Sequence, residues 1–167
     1  MSISATVLPE FDREMASTRT MLERVPQDRA GWTPHARSRT MGELATHIAN
    51  LPRLGLITME SDELDMNPPG GGNLTPDFVS TGELVRSFDE NVRRARGAIE
   101  SASDSDMMEA WTLRRAGKTI WTLPRAAVLR MFIVSHMIHH RGQLSVYLRL
   151  NEVPLPSVYG PTADSRP

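Results

Sequence analysis

His136 and His140 stand four positions apart in the run PRAAVLRMFIVSHMIHHRGQLSVYLRLNEVPLPSVYGP, residues 124–161. On a helical wheel turning ~100° per residue, with Val128 at zero, His136 falls at ~80° and His140 at ~120°. Leu129 at ~100° and Ile133 at ~140° share that arc, so both imidazoles project from an apolar stripe. A lone inward histidine is more often a satisfied core residue than a ligand. A pair one turn apart on a buried face is different, because its ring nitrogens can converge on a single cation, as they do in helical zinc sites. The pair alone specifies little, and a third ligand has to come from elsewhere in the chain.

Three neighbours of the pair carry readings of their own. His139 falls at ~20°, beside Phe132 at ~40°, on the margin of the stripe, and reads as a surface position or one that supports a ligand. Gln143 at ~60° points inward, where its amide either holds a ligand ring or a bound water or is a satisfied buried amide. Arg141 at ~220° points away from the site and reads as a structural ion pair or an interface residue.

The chain holds five histidines and no cysteine, which removes thiolate ligands, disulfides and an internal cysteine nucleophile together. Of the two histidines left, His35 lies in QDRAGWTPHARSRT, a loop by its Gly31 and Pro34, and is expected to be exposed, with Trp32 lidding the core. His47 lies in MGELATHIANLPRLGLITME, where Leu44, Ile48 and Leu51 form one apolar side and His47 sits ~60° from Leu44. Thr40 caps this second helix, with Glu43 three residues on as in a capping box. Pro52 predicts a bend just after the His47 turn, serving either a site or local packing.

These histidines need four helices to position them. The first runs over residues 3–25 on Val7, Leu8, Phe11, Met15, Leu22 and Val25, with a stop at Pro26. The third runs from about Asp77 to Ser101 on Phe78, Leu84, Phe88, Val92, Ala95 and Ile99. Between them SDELDMNPPGGGNLTP, Ser61 to Pro76, reads as irregular and long enough for a crossover along a bundle. Residues 104–123 read as two short strands paired around Gly117, and Pro124 suits the first turn of the fourth helix. Gly142 inside that helix costs roughly 1 kcal/mol against alanine, for a close backbone approach or as a tolerated flaw. From about residue 153 to 167 the prolines predict an extended tail. The expected fold class is all-α, a single domain over residues 1–167 with a long crossover loop and a small hairpin before the last helix.

Composition narrows the partners. A chain of 167 residues with 40% hydrophobic content supports one core and leaves little room for a second. Nineteen basic and 20 acidic residues nearly cancel, and without a basic stripe no nucleic-acid partner is implied. Arg93, Arg94 and Arg96 read as a solvated helix face. The N-terminus lacks a basic segment followed by an apolar one, and no apolar run nears the roughly eighteen residues of a membrane span. A soluble, cytoplasmic protein is expected.

In a bundle the second and fourth helices can face each other, so His47 can complete a triad with His136 and His140. Three neutral imidazoles leave a coordination position for water or substrate, the form of a catalytic site, and suit zinc, nickel or ferrous iron. The combination of LATHIANLP around His47 with SHMIHHRGQLSVYLRLNEVPLPSVYGP near the C-terminus resembles the DinB family (DinB/YfiT-like metalloenzymes) along the whole chain. The resemblance implies a four-helix bundle of up-down-down-up connectivity, often a homodimer, holding a divalent metal through three histidines. Carried over by position, these are His47, His136 and His140, with no ligand role for His139.

Some proteins resembling this sequence are metal-dependent transferases that use a small thiol. The implied function is therefore an S-transferase or isomerase acting on a small-molecule substrate, with a low-molecular-weight thiol from outside because the chain has no cysteine. Hydrolysis by metal-activated water ranks lower, since no acidic residue in either motif points at the site and Glu43 is explained as a cap. The alternative from another class is a non-catalytic dimeric stress-response protein with a structural metal. Structural zinc usually takes four protein ligands, which weighs against it.

Overall fold

The computed structural model describes residues 2–71 and 75–165. Helix α1 (Ile3–Leu22) opens where the Ser2 hydroxyl accepts the Ala5 N–H at 3.2 Å, and it buries Phe11, Met15, Met21 and Leu22. Helix α2 (Met41–Glu60) begins in a complete capping box. The Thr40 hydroxyl accepts the Glu43 N–H at 3.2 Å, and the Glu43 carboxylate accepts the Thr40 N–H at 2.8 Å. Strand β1 (Glu63–Asp65) follows, then helix α3 (Thr81–Ser101), capped by Ser80, and the short α4 (Asp104–Met108). Strands β2 (Ala110–Arg115) and β3 (Lys118–Pro124) lead into α5 (Arg125–Val128), a π-helical segment at Leu129–Ser135, and α6 (His136–Leu150).

The core is centred on α2, whose Met41, Leu44, Ala45, Ile48 and Leu51 are almost wholly buried. Against them pack Phe11 and Met15 of α1, Leu84, Phe88 and Ile99 of α3, and Met137, Leu144 and Leu148 of α6. Each such side chain contributes about 1.5–3 kcal/mol by leaving water, so this seam is what holds α2 and α6 at a set spacing. Among the described residues no helix is long and apolar enough to cross a membrane.

Three expectations need correction. The fold is mostly helical but not all-α, because β1, β2 and β3 form a three-stranded sheet in that order. The expected hairpin around Gly117 is present, and β1 joins it in parallel with Leu64 opposite Leu113. Part of the stretch expected to be irregular is thus a strand, too short for an alternating pattern to reveal. Its Asp65 carboxylate accepts the N–H groups of Ala116 at 2.9 Å and Gly117 at 2.7 Å, clamping a turn whose residues have φ of 49° and 75°. The last helix is also not uniform, since the π-helical stretch breaks its 3.6-residue period before His136. Finally, the third helix starts at Thr81, leaving Phe78 in the preceding loop, where it covers Gly42. Helix α2 runs unbroken through Pro52. Residues 72–74 of the expected crossover, with 166 and 167 of the expected tail, lie outside the described residues.

Arg141 is a structural ion pair. Buried to 3% exposure, it donates to the Glu14 carboxylate at 2.7 Å, the Glu14 carbonyl at 3.1 Å, the Thr18 hydroxyl at 3.2 Å and the Tyr159 hydroxyl at 3.0 Å. Tyr159 in turn donates to Glu14 at 2.9 Å, tying the C-terminal segment to α1 and α6. Removing one partner leaves a buried charge unpaired, so Glu14→Ala is expected to cost about 3–5 kcal/mol in chemical denaturation. Gly142 has nothing within 4 Å of where a Cβ would stand, which makes it the tolerated flaw. Gly142→Ala is expected to raise the melting temperature by about 2–4 °C in a calorimetric scan, and a lowered value would contradict this account.

Candidate metal centre

The three histidines singled out by spacing meet at the seam between α2 and α6. His47 comes from the middle of α2, His136 opens α6 immediately after the π-helical segment, and His140 follows one turn later. One ring nitrogen from each lies within 4.8 Å of the others, and all three rings are half-buried. The Nε2 atoms of His47 and His136 are 3.4 Å apart, and those of His136 and His140 are 2.8 Å apart. Two nitrogens about 2.05 Å from one cation are separated by about 3.3 Å at a tetrahedral angle and about 2.9 Å at a right angle, so the set is spaced to share an ion.

The protonation state fits as well. Burial, with the charge of Arg39 next, pushes the His47 pKa down to about 3, and burial followed by the neighbouring His140 pushes His136 down to about 4. His140 is lowered too, again chiefly by burial. All three are neutral at pH 7 and can present lone pairs. The Nδ1–H of His140 donates to Gln143 Oε1 at 2.7 Å, which leaves its Nε2 as an acceptor. Across the 2.8 Å contact His136 must then carry its proton on Nε2, and its buried Nδ1 makes no hydrogen bond. The Phe132 backbone works against burial, favouring a proton on the His136 ring, but not enough to offset it.

Gln143, expected inward, is exposed, because the π-helical turns shift the phase of the wheel; it reaches His140 by i, i+3 proximity along α6. His139 is exposed with its ring centroid 4.9 Å from that of His140, and His35 is exposed in its loop. Glu43 is occupied as the cap of α2.

His47 and His136 open into a cavity of about 480 Å³. Its wall is apolar through Leu51, Leu54, Leu64, Met66 and Phe132, with Arg39, Asn50 and Asn67 as polar groups. Phe132 also backs His136, ring centroids 5.7 Å apart. Spacing could not have nominated Arg39, Leu64 or Met66, since each reaches the cavity from a loop or from a strand that pairs far along the chain.

The sequence profile of the DinB superfamily matches residues 10–144. The chain belongs to the DinB superfamily. YrdA of Bacillus subtilis strain 168, a protein described as uncharacterized, is 24% identical over 157 residues, covering 94% of this chain and 88% of YrdA. A DinB-like crystal structure from Bacillus cereus ATCC 10987 superposes with a TM-score of 0.71 at 20% identity, covering 92% of this chain and 95% of that one. A family member from Exiguobacterium sibiricum 255-15 gives a TM-score of 0.66 at 17% identity, covering 99% of both chains. The helical scaffold with its small sheet is thus a DinB fold, and in this DinB chain it carries a histidine cluster able to take a metal ion.

Neutral burial of the histidines has a measurable consequence in the metal-free protein. The folded pKa values of about 3 and about 4 lie below the ordinary 6.5, so the unfolded chain takes up protons first as pH falls. Stability is therefore level above pH ~7 and declines from pH ~6.5 downward, before most carboxylates titrate. Melting temperatures with chelator at pH 8, 7, 6 and 5 should show this decline, and His47→Gln should flatten it.

Proposed function

We propose that this DinB protein is a divalent-metal-dependent enzyme in which His47, His136 and His140 hold the ion, zinc or nickel foremost and iron as a third candidate. The observation that carries the reading is the convergence of three uncharged imidazoles on one point beside a cavity. Three protein ligands leave room for an exogenous one, and the cavity meets the cluster on its His47 and His136 side. When bound, the ion would lower the pKa of a thiol and stabilise its thiolate, which suits S-transfer or isomerisation with a low-molecular-weight thiol and a small-molecule substrate.

The chain's own groups do the rest. Gln143 holds the His140 ring in the tautomer that frees Nε2. His136 would bind through Nε2 only in the tautomer that carries its proton on Nδ1. Leu64, Met66 and Phe132 exclude water from the face where the thiol would sit. We read the chain as one domain, a four-helix bundle of up-down-down-up order formed by α1, α2, α3 and the composite last helix, acting as a cytoplasmic homodimer.

Protein purified without added metal should contain close to one zinc, nickel or iron per chain by elemental analysis, and His47→Ala should lose it. The holo protein should conjugate or isomerise an electrophilic small molecule only when a thiol is supplied, and His47→Ala should abolish turnover. If chelation lowers the melting temperature steeply while no thiol perturbs or is consumed by the holo protein, the metal is a structural tie between α2 and α6. Absence of any bound metal would remove both readings.

A further inference from the structure

Arg39 stands one residue ahead of the Thr40 cap, at the edge of the cavity shared by His47 and His136. Its backbone is fixed. The Tyr147 hydroxyl on α6 donates to the Arg39 carbonyl at 3.3 Å, and Tyr147 packs edge-on against Trp32 with ring centroids 5.4 Å apart. Met41 N–H donates to the Trp32 carbonyl at 2.8 Å and Gly42 N–H to the Ala30 carbonyl at 2.8 Å, closing the loop onto the start of α2. The guanidinium, by contrast, makes no ion pair or hydrogen bond with any described residue.

Arg39 is exposed at the rim of the cavity that holds His47 and His136, and among the described residues no carboxylate lines that cavity. Arg39 and His47 also line a second cavity of about 230 Å³, together with the carboxylates of Glu43 and Asp77. Among the described residues neither carboxylate makes an ion pair with Arg39, and Glu43 is engaged with the Thr40 N–H at 2.8 Å. Across from Arg39 the wall is the apolar surface of Leu64, Met66 and Phe132.

We propose that Arg39 is an anion-binding specificity residue: the molecule that fills the cavity carries a carboxylate held by this guanidinium, an apolar body against Leu64, Met66 and Phe132, and its reacting group toward His47 and His136. A guanidinium offers paired N–H donors that match a carboxylate. The orientation of the reacting group rests on the metal reading above; the carboxylate contact does not.

The test uses two small thiols on cobalt(II)-loaded full-length protein, 3-mercaptopropionate and 2-mercaptoethanol, followed by the cobalt-thiolate absorption. The wild type is expected to bind the carboxylate-bearing thiol about tenfold more tightly. Arg39→Gln should erase that preference at unchanged cobalt content, and Arg39→Lys, which keeps the charge but loses the fork, should retain part of it. Equal affinity for both thiols in the wild type, or a preference that survives Arg39→Gln, overturns the proposal. If cobalt does not bind, the decision passes to the ¹⁵N resonance of the Arg39 Nε–H group, identified by its loss in Arg39→Lys. That resonance should shift on addition of butyrate and not of butanol to the metal-free protein. A shift without cobalt binding keeps the anion site and discards the metal reading, and no shift in that case discards the anion site.

Discussion

Three uncharged imidazoles pressed together where α2 meets α6 are the constraint on which the site depends. Burial penalises a proton on any one of them, and a charge on one raises the penalty on the others. What remains is a group of lone pairs that only a shared proton or a shared cation can reconcile. His136 Nε2 stands 2.8 Å from His140 Nε2 and 3.4 Å from His47 Nε2, so its proton can serve one neighbour well and the other poorly. A divalent ion would satisfy all three at once. The spacing follows from the core on either side, in which Ile48 and Leu51 of α2 and Met137 and Leu144 of α6 are packed without exposure. The helices cannot move apart to relieve the imidazoles without exposing these apolar side chains.

The small sheet has its own part in this arrangement. β1 lies in the connection between α2 and α3 and is paired to β2, with the Asp65 carboxylate bonded to the hairpin turn. That pairing brings Leu64 and Met66 to the wall of the cavity opposite the helices. Beneath the sheet, Trp111, Leu113 and Val128 make a second buried cluster, touched by Trp121 and Phe132. Phe132 also contacts His136, so the aromatic packing under the sheet and the orientation of one imidazole are mechanically linked. Members of this superfamily at below 25% identity keep the same helical scaffold, as the superpositions with the Bacillus and Exiguobacterium structures indicate. The scaffold and the chemistry placed on it are separate matters.

Much of this protein was legible in local patterns. The Thr40 cap with Glu43, the apolar face of α2, the i, i+4 spacing of His136 and His140, and the turn at Gly117 are all set by interactions within a few residues, so the amino-acid order alone determines them. The absence of cysteine likewise decided that any metal here would meet imidazole rather than thiolate. Other features depend on contacts between residues far apart in the chain. The meeting of His47 with the pair, 89 residues from His136, needed the packing of α2 on α6. The π-helical stretch turned Gln143 out to solvent where a uniform helix would have turned it in, because fitting Leu129, Ile133 and Val134 into the core outweighed regular hydrogen bonding. β1 leaves no periodic trace because three residues are too few to alternate, and only its pairing with β2, some fifty residues on, makes it a strand; Arg39 reaches the cavity on a loop held by Tyr147 and Trp32. Short-range geometry thus set the helix faces and the spacing of the histidine pair, while long-range packing of side chains brought His47 to it and built the cavity beside the three rings.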